Sequence, residues 1–516
     1  MPASSSFRNT RYRQADLGVA TPAGGISTFT PPESARASEP TTTESTLQRI
    51  GTSTGTSTTT PTKARLPIGP LLPVVGGNLA APLAGNGAGG RTARAVNLDY
   101  AASAPALQAV ADHVAEVLPY YASVHRGAGY ASQVSTALYE SARQTIGAFV
   151  GARPGDLTVF TRNTTDALNL LAGAVPQDGP GAGEVVVLDV EHHANLLPWT
   201  ARRHRLIPTA STVAETVAAL EATLAERPAA LVAVTGCSNV TGEILPIGEI
   251  ARIAHAHGAR VVVDGAQLVP HRRVDIAALD VDYIAFSGHK IYAPFGSGVL
   301  IGRSDWLDAA QPHLAGGGAV RSVDAQGQAV WTTGVARHEG GTPNVLGAAA
   351  LAAACRAIAD LPEGAVEEHE AALSARLLEG LQEIPQVRVL RAWSDSTDRV
   401  GVVGFTVEGH EAARVAVYLS AEHGVGVRDG KFCAHPLLNR LGVTGGALRA
   451  SLGLGSRSDD VERLLHAVRT LVTEGEKLRY EQIDGAWTPV NDDRPAPSWS
   501  TWGATNPVDG ASECGF

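Results

Sequence analysis

The sequence predicts an α/β fold, and two observations support this prediction. First, short apolar runs such as EVVVL (184–188), ALVAVT (230–235) and RVVVD (260–264) alternate with longer segments of helical periodicity. This alternation is typical of a parallel sheet that is covered by helices. Second, polar residues follow directly after these runs. Ligands of such sheets bind beyond the carboxyl ends of the strands, so these polar residues mark the expected site.

We expect four regions along the chain. Residues 1–92 are rich in Ser, Thr, Pro and Gly, a composition that cannot bury a core, and we predict a disordered tail. Residues 93–360 carry the strand and helix alternation and form the large domain. Residues 361–485 are predicted to form a smaller α+β domain, which we expect the first residues of the large domain to join. Residues 486–516 return to loop composition and are predicted as a C-terminal tail.

Composition excludes several classes of partner. The 516 residues carry a formal net charge of −10, and this excess of carboxylates argues against a nucleic-acid binder. No apolar run reaches the roughly 18 residues that a membrane-spanning helix needs. The four cysteines form no CxxC pair, so we expect no disulfide framework and a cytoplasmic location. The Ser- and Arg-bearing first residues also permit organelle targeting, although an ordinary tail is the simpler interpretation.

The polar residues that follow the apolar runs are expected on one rim of the sheet. They are His192, Asn239, Asp264, Gln267, Ser287, His289 and Lys290. A lysine at a buried strand end loses hydration, which favours the neutral amine that a Schiff base requires. Asp264, one strand away, suits the pyridinium nitrogen of pyridoxal 5'-phosphate (PLP), whose ring withdraws electrons from a substrate carbanion. Taken singly, Lys290 also fits a surface lysine and Asp264 a helix N-cap.

An ordered series of motifs gives the sequence a family resemblance. The series runs NLDYAASA, VHRGAGYAS, RNTTDALN, EHHAN, SNVTG, DGAQ, SGHK, EGGTPN, RDGKFCAHPL and LRASLG, within residues 97–471. On these motifs the chain resembles the class V aminotransferase family of fold type I PLP enzymes. Within that family it is most similar to the cysteine desulfurases and selenocysteine lyases of the sulfur-mobilisation type. The resemblance implies a PLP-dependent enzyme with a large domain and a smaller C-terminal domain.

The resemblance also implies roles for the strand-end residues. Lys290 would form the Schiff base and carry protons at the substrate Cα, and Asp264 would pair with the pyridinium nitrogen. Gln267 would contact the ring hydroxyl, and His192 would stack on the ring and shuttle protons. His192 and His193 alone also resemble half a metal site, but zinc needs further ligands, so we expect no metal.

Phosphate and substrate contacts follow from the same resemblance. The expected phosphate donors are Thr164, Thr165, Ser287, His289 and Thr342. Thr342 would reach the site from the neighbouring subunit, which implies a homodimer. Without the family, RNTTD is a helix N-cap signal, and the free N–H groups of a helix start also favour an anion. Arg449 would hold the carboxylate of an amino-acid substrate through its planar guanidinium, assisted by Asn239.

Cys433 indicates which reaction of the family applies, because the fold alone does not. It lies in VRDGKFCAHPL, which resembles the loop that carries the desulfurase nucleophile. The resemblance implies that cysteine becomes alanine while its sulfur moves to Cys433 as a persulfide, from which an acceptor protein takes it. Nearby Lys431 and Arg428 favour the thiolate, whereas Asp429 opposes it.

Two other interpretations stay open. In the first, the chain catalyses another class V reaction, such as C–S cleavage of a cysteine conjugate, an aminotransfer or an epimerisation, and Cys433 is a bystander. In the second, the chain is a scaffold whose tails recruit partners and whose PLP fold is vestigial. The products formed from cysteine distinguish the first interpretation, and a Schiff-base absorption band after PLP addition distinguishes the second.

Overall fold

A computed structural model describes residues 66–85, 90–179 and 181–500. The strands of this part of the chain are β1 (Ala80–Pro82), β2 (Thr92–Arg94), β3 (Val96–Asn97), β4 (Leu157–Thr161), β5 (Glu184–Leu188), β6 (His204–Ile207), β7 (Ala229–Thr235), β8 (Arg260–Asp264), β9 (Tyr283–Ser287), β10 (Gly298–Gly302), β11 (Val320–Val323), β12 (Ala329–Trp331), β13 (Val387–Val389), β14 (Val402–Val407), β15 (Val425–Gly426), β16 (Arg428–Gly430), β17 (Ala447–Ser451), β18 (Tyr480–Ile483) and β19 (Ala486–Pro489).

The helices lie between and around these strands. They are α1 (Gln108–Val117), α2 (Tyr130–Phe149), α3 (Thr164–Ala174), α4 (Leu197–Thr200), α5 (Val213–Glu226), α6 (Ile247–Ala256), α7 (Ser304–Ala309), α8 (Val345–Ala359), α9 (Ala365–Gln382), α10 (Ala412–His423), α11 (His435–Arg440) and α12 (Ser458–Glu474). Short 3₁₀ turns lie at Leu118–Tyr120, His193–Asn195 and Gly334–Arg337. Among the described residues, no helix combines the length and the apolar character needed to cross a membrane.

The central sheet has the strand order β4-β10-β9-β8-β7-β5-β6. Its neighbouring strands are parallel except for β10, which runs antiparallel to both β4 and β9. The predicted α/β fold with a mainly parallel sheet is therefore confirmed. Because β4, β5, β7, β8 and β9 share one direction, their carboxyl ends lie at a common edge, and the predicted site residues follow these ends.

Alternate side chains of the central strands build two apolar cores. Val186 and Leu188 of β5 belong to one core together with residues of α2, α6 and α8. Val185 and Val187 belong to the other core, which includes residues of α3 and α7. Successive side chains of a strand point to opposite faces of the sheet, so strands covered on both faces are apolar at nearly every position.

A second sheet near the C-terminus is antiparallel and has the order β13-β14-β17-β16. Helices α9, α10 and α12 contribute to its core, in which Leu377 and Tyr418 join Phe405. Val96 and Leu98 are part of the same core, and β3 pairs in parallel with β15. The chain therefore contributes to this second body before it enters the central sheet.

The end of the predicted N-terminal tail packs against the folded body. The backbone N–H of Leu71 donates to the carbonyl of Leu454 at 2.7 Å, and β1 pairs with β2. Prolines exclude a helix in this segment, but extended backbone still forms hydrogen bonds and buries apolar side chains. The prediction of a disordered tail up to residue 92 therefore does not hold for residues 66–85, while most of its other residues lie outside the described part of the chain.

The C-terminal hairpin also extends the folded body. β18 and β19 pair in antiparallel fashion, and their turn contains the predicted domain boundary at residue 485. Nε1 of Trp487 donates to the Glu411 carboxylate at 3.0 Å. The guanidinium carbon of Arg414 lies 4.8 Å from the centroid of the Trp487 ring. Residues 486–489 thus belong to the folded body, whereas the last residues of the predicted tail, 501–516, lie outside the described residues.

Replacement of Trp487 by alanine is expected to destabilise the protein, because it removes a hydrogen bond and a cation–π contact that fix the hairpin to α10. The expected loss is about 1–2 kcal/mol of unfolding free energy, measured by calorimetry or circular dichroism. Trp499→Ala is the matched control, since Trp499 is 86% exposed. Equal destabilisation by the two substitutions would contradict the assigned role of Trp487.

Candidate active site

A cavity of about 720 Å³ lies at the carboxyl edge of the central sheet. All but one of the site residues predicted from the sequence line it. These are Thr164, Thr165, His192, Asn239, Asp264, Gln267, Ser287, His289, Lys290, Cys433 and Arg449. The exception is Thr342, which is exposed in the loop before α8. The strand ends of the central sheet supply most of the lining, whereas Arg449 and Cys433 come from the second body.

Lys290 and Asp264 are the charged pair of the cavity. Asp264 ends β8, and Lys290 follows the adjacent strand β9. Desolvation lowers the pKa of Lys290 to about 8, although the negative charge of Asp264 opposes this shift. Burial raises the pKa of Asp264, while the charge of Lys290 and a hydrogen bond from the Ala266 N–H lower it. The Lys290 amine is therefore partly neutral at mildly alkaline pH, unlike an ordinary lysine.

Gln267 presents an acceptor without a donor inside this cavity. Its side chain is 3% exposed, and Nε2 donates to the carbonyl of Ala101 at 2.7 Å. Within the described residues, Oε1 has no hydrogen-bond partner. A buried acceptor left without a donor is costly, so this atom points to a ligand that supplies one. The ring hydroxyl of PLP is such a donor, and the nearby amine and carboxyl also fit that cofactor.

The start of α3 borders the same cavity. Oδ1 of Asn163 caps the helix by accepting from the Asp166 N–H at 2.9 Å. The Thr164 N–H donates to Oγ of Ser287 at 2.8 Å, and the hydroxyls of these two residues lie 2.6 Å apart. Hydroxyl groups beside a helix N-terminus suit an anion, because the helix dipole and the N–H groups favour negative charge. This side of the cavity therefore fits the phosphate of PLP.

His192 is held in one tautomer at the end of β5. Its Nδ1 accepts from the Ala194 N–H at 3.0 Å, so the ring hydrogen is on Nε2. Desolvation, reinforced by the charge of Lys290, lowers the pKa of His192 to about 3. The imidazole is consequently neutral at physiological pH and offers an N–H group to the cavity.

Glu191 is a buried carboxyl that was not predicted as a site residue. It is 0% exposed and accepts from Nδ2 of Asn195 at 2.7 Å and from the Thr235 N–H at 2.9 Å. Burial raises its pKa to about 8. Glu191 thus links the turn that carries His192 to the end of β7. Its place directly before the two histidines, at a strand end, was the available signal in the sequence.

Cys433 lies in the short segment 431–434 between β16 and α11, which we call the nucleophile loop. The φ angles of Phe432 and Cys433 are 54° and 50°, a left-handed conformation that side chains disfavour. Nδ2 of Asn239 donates to the Phe432 carbonyl at 2.8 Å, and the His193 N–H donates to the Cys433 carbonyl at 2.9 Å. The nucleophile loop is therefore fastened to the ends of β5 and β7.

The charges around Cys433 differ from those expected from the sequence. Lys290 and Arg449 both interact electrostatically with its thiol, and nearby cations favour the thiolate. Arg428 lines the cavity, whereas Asp429 does not. Neighbouring residues of a strand point to opposite faces, so the Asp429 carboxylate is directed away from the face that bears Arg428.

Arg449 is buried in β17 and already has two partners. Nη1 donates to the Asn239 carbonyl at 3.0 Å, and Nη2 donates to the Asp99 carboxylate at 3.1 Å. Nε has no hydrogen-bond partner among the residues that the structure describes. The guanidinium carbon lies 5.2 Å from the centroid of the Phe432 ring. Asp99 was not predicted as a site residue. A substrate carboxylate that binds Arg449 would share its guanidinium with Asp99.

An amine of lowered pKa, a buried carboxyl, an orphaned acceptor and an anion site at the carboxyl edge of an α/β sheet define a fold type I PLP-dependent enzyme. The chain belongs to the class V aminotransferase family, because the family model described as Aminotransferase class-V matches residues 96–464. The predicted family, the prediction of an enzyme and the prediction of PLP as its cofactor are thereby confirmed.

Individual relatives agree with this assignment. A cysteine desulfurase of Dickeya dadantii is 39% identical over 388 residues, which cover 73% of this chain and 92% of that relative. Among solved structures, a cysteine desulfurase of Thermococcus onnurineus matches with a TM-score of 0.66 and 34% identity, covering 73% of this chain and 94% of that one. The cysteine desulfurase CsdA of Escherichia coli, in its S-sulfonic acid form, matches with a TM-score of 0.64 at 34% identity.

Acetylation of Lys290 in the protein without PLP is expected to rise with pH around a midpoint near 8, because desolvation lowers the pKa of this amine to about 8. The neutral amine is the reactive form, so the rate increases as pH rises through the lowered pKa. Mass spectrometry of the labelled peptides measures the rate, with exposed Lys477 as the internal reference. Asp264→Asn removes the charge that raises the Lys290 pKa and should move the midpoint downwards. A midpoint near 10.5 in the unchanged protein would contradict the desolvation argument.

Proposed function

We propose that this protein is a PLP-dependent cysteine desulfurase, which converts cysteine to alanine and transfers the sulfur to Cys433. The observation that carries the proposal is the position of Cys433, which lines the same cavity as Lys290 on a loop fixed to the strand ends. The similarity to chains named cysteine desulfurase, at 34% to 39% identity, supports it.

Different residues of the cavity transfer the proton at the substrate Cα and bind the substrate carboxylate. When bound, PLP supplies the electron sink that stabilises negative charge at this carbon. The neutral amine of Lys290 takes the Cα proton and later returns a proton to the same carbon. Asp264 would pair with the pyridinium nitrogen of PLP, and Arg449 binds the substrate carboxylate through N–H groups that include Nε.

Cys433 performs the sulfur transfer. Its thiolate, favoured by the charges of Lys290 and Arg449, attacks the sulfur of the substrate. The new S–S bond forms as the Cβ–S bond breaks, and Cβ takes the electron pair and a proton. Cysteine and the enzyme thiol thus become alanine and an enzyme persulfide, so no external oxidant is needed.

We further propose that an acceptor protein takes the sulfur in the cytoplasm. Cys433 is half-buried rather than enclosed, so its sulfur lies at a cavity that opens to a partner. Cys237 and Cys355 are buried free thiols, which suits a reducing compartment.

The homodimer is also a proposal, in which Thr342 of each chain reaches the phosphate region of the other. Thr342 is exposed rather than directed into its own cavity. Nδ2 of Asn344 donates to the Phe295 carbonyl at 2.7 Å, so the exposed ring of Phe295 lies beside this loop. Exposed apolar side chains next to a polar loop fit a surface that a second copy covers.

Cys433→Ala is expected to lower alanine formation from cysteine by roughly a hundredfold or more, because it removes the nucleophile. The cofactor absorption band should remain. Cys237→Ala is the matched control: Cys237 lines the same cavity, but its thiol donates to the Gly242 carbonyl at 3.3 Å and burial raises its pKa. Chromatography measures alanine, and mass spectrometry detects the persulfide. Alanine formation that survives in Cys433→Ala, or a keto acid as the product, would support another class V reaction instead.

Mixing two inactive variants tests the shared site. Lys290→Ala lacks the amine, and Thr342→Glu places a carboxylate where the phosphate of the partner subunit is expected. A mixed dimer has one site with an intact Lys290 and an intact Thr342, so remixed subunits should regain about a quarter of the unmodified activity. Each variant alone is expected to stay inactive. No regain of activity after verified subunit exchange would contradict a contribution of Thr342 across the interface.

A further inference from the structure

Two histidines next to the nucleophile loop share a hydrogen bond that the proposed reaction does not use. Nδ1 of His435 lies 3.0 Å from Nε2 of His193, and the two ring planes are 7° from parallel. His193 follows β5 beside His192, whereas His435 begins α11, two residues after Cys433. The pair therefore joins the rim of the central sheet to the second body at the point where the nucleophile loop ends.

The nucleophile loop needs such a support, because its backbone is strained. Phe432 and Cys433 are consecutive residues in the left-handed region, where the side chain of an L-residue crowds the following carbonyl oxygen. Such conformations persist only where the surrounding contacts hold them. The two backbone carbonyls are held by Asn239 and by the His193 N–H. These bonds fix the middle of the loop, and the imidazole pair fixes its end.

The two histidines form a hydrogen-bonded pair rather than a metal site. Two ring nitrogens at 3.0 Å leave room for one hydrogen, which one imidazole donates and the other accepts. Among the described residues, no group of three or more His, Cys, Asp or Glu side chains is placed to hold a metal ion. The same residue, His193, makes both a backbone and a side-chain bond to the segment 433–435.

We infer that His193 and His435 are positioning residues that hold Cys433 at the distance its attack on the substrate sulfur requires. This inference rests on the proposed desulfurase function and adds a specific support for its nucleophile. Without the imidazole pair, the start of α11 loses its bond to the central sheet, and the two strained residues can relax. Cys433 and the neighbouring Phe432 then move relative to the substrate, while the residues at the strand ends of the central sheet keep their positions.

The test uses His435→Ala and His435→Asn in the full-length protein loaded with PLP. His435→Ala is expected to lower kcat for alanine formation by about tenfold to a hundredfold, since small displacements of reacting groups have effects of this size. KM and the cofactor absorption should change less than kcat, because the hydrogen bonds of Arg449 to Asn239 and Asp99 do not involve His435. His435→Asn keeps a short side chain that both donates and accepts, and should restore most of the rate. His410→Ala, at an exposed histidine, is the matched control.

A second readout does not depend on turnover. The rate at which iodoacetamide alkylates Cys433, followed by mass spectrometry, should differ between His435→Ala and the unchanged protein and return towards the original value in His435→Asn. Unchanged kcat and unchanged alkylation in His435→Ala would overturn the inference, as would a loss of rate that His435→Asn fails to restore. If the unchanged protein forms no alanine through Cys433, the proposed function fails, and the alkylation rates still report whether the pair positions the thiol.

Discussion

The proposed chemistry depends on the desolvation of one lysine beside one carboxylate. Asp264 ends β8, Lys290 follows the neighbouring strand β9, and both line one cavity, in which the pKa of the amine falls to about 8. A direct ion pair with Asp264 would keep the Lys290 ammonium charged. Burial of that ammonium without any nearby carboxylate would cost too much desolvation free energy. The parallel sheet sets this balance, because it places both residues at one edge without bringing them into a direct ion pair.

The second body contributes two residues to the cavity at the edge of the central sheet. Arg449 and Cys433 reach the cavity from β17 and from the nucleophile loop, and both are held by groups of the strand-end turns. Asn239 serves both of them, since its carbonyl accepts from Arg449 and its amide donates to the Phe432 carbonyl. Arg449 and the nucleophile loop thus share one hydrogen-bonding partner, and the strain of the loop is offset by bonds from the central sheet.

The sequence predicted the features that depend on local pattern, such as the residues at strand ends. It did not predict the contacts between residues that are distant in the chain. Period and strand-end polarity predicted that Asp264 and Lys290 lie at one edge of the sheet, where both line the cavity, because both signals are local. The position of Glu191 at a strand end was a local signal, but its bond from the Thr235 N–H and the bond between His193 and His435 join residues far apart in the chain, which no local pattern reveals. The segment 66–85 was misjudged for a related reason: its prolines indicate an absence of helix, but packing onto Leu454 depends on tertiary contacts.

The pairing of β3 with β15 has a mechanical consequence. The chain enters the second body before the central sheet and returns to it after α8, so two backbone segments cross between the bodies. The two bodies are therefore joined by two covalent connections rather than by a single linker. Asp99 occupies the first crossing and binds Arg449. In the proposed function, a substrate carboxylate that binds Arg449 would compete with Asp99 for this guanidinium, so substrate binding would alter a contact between the two bodies.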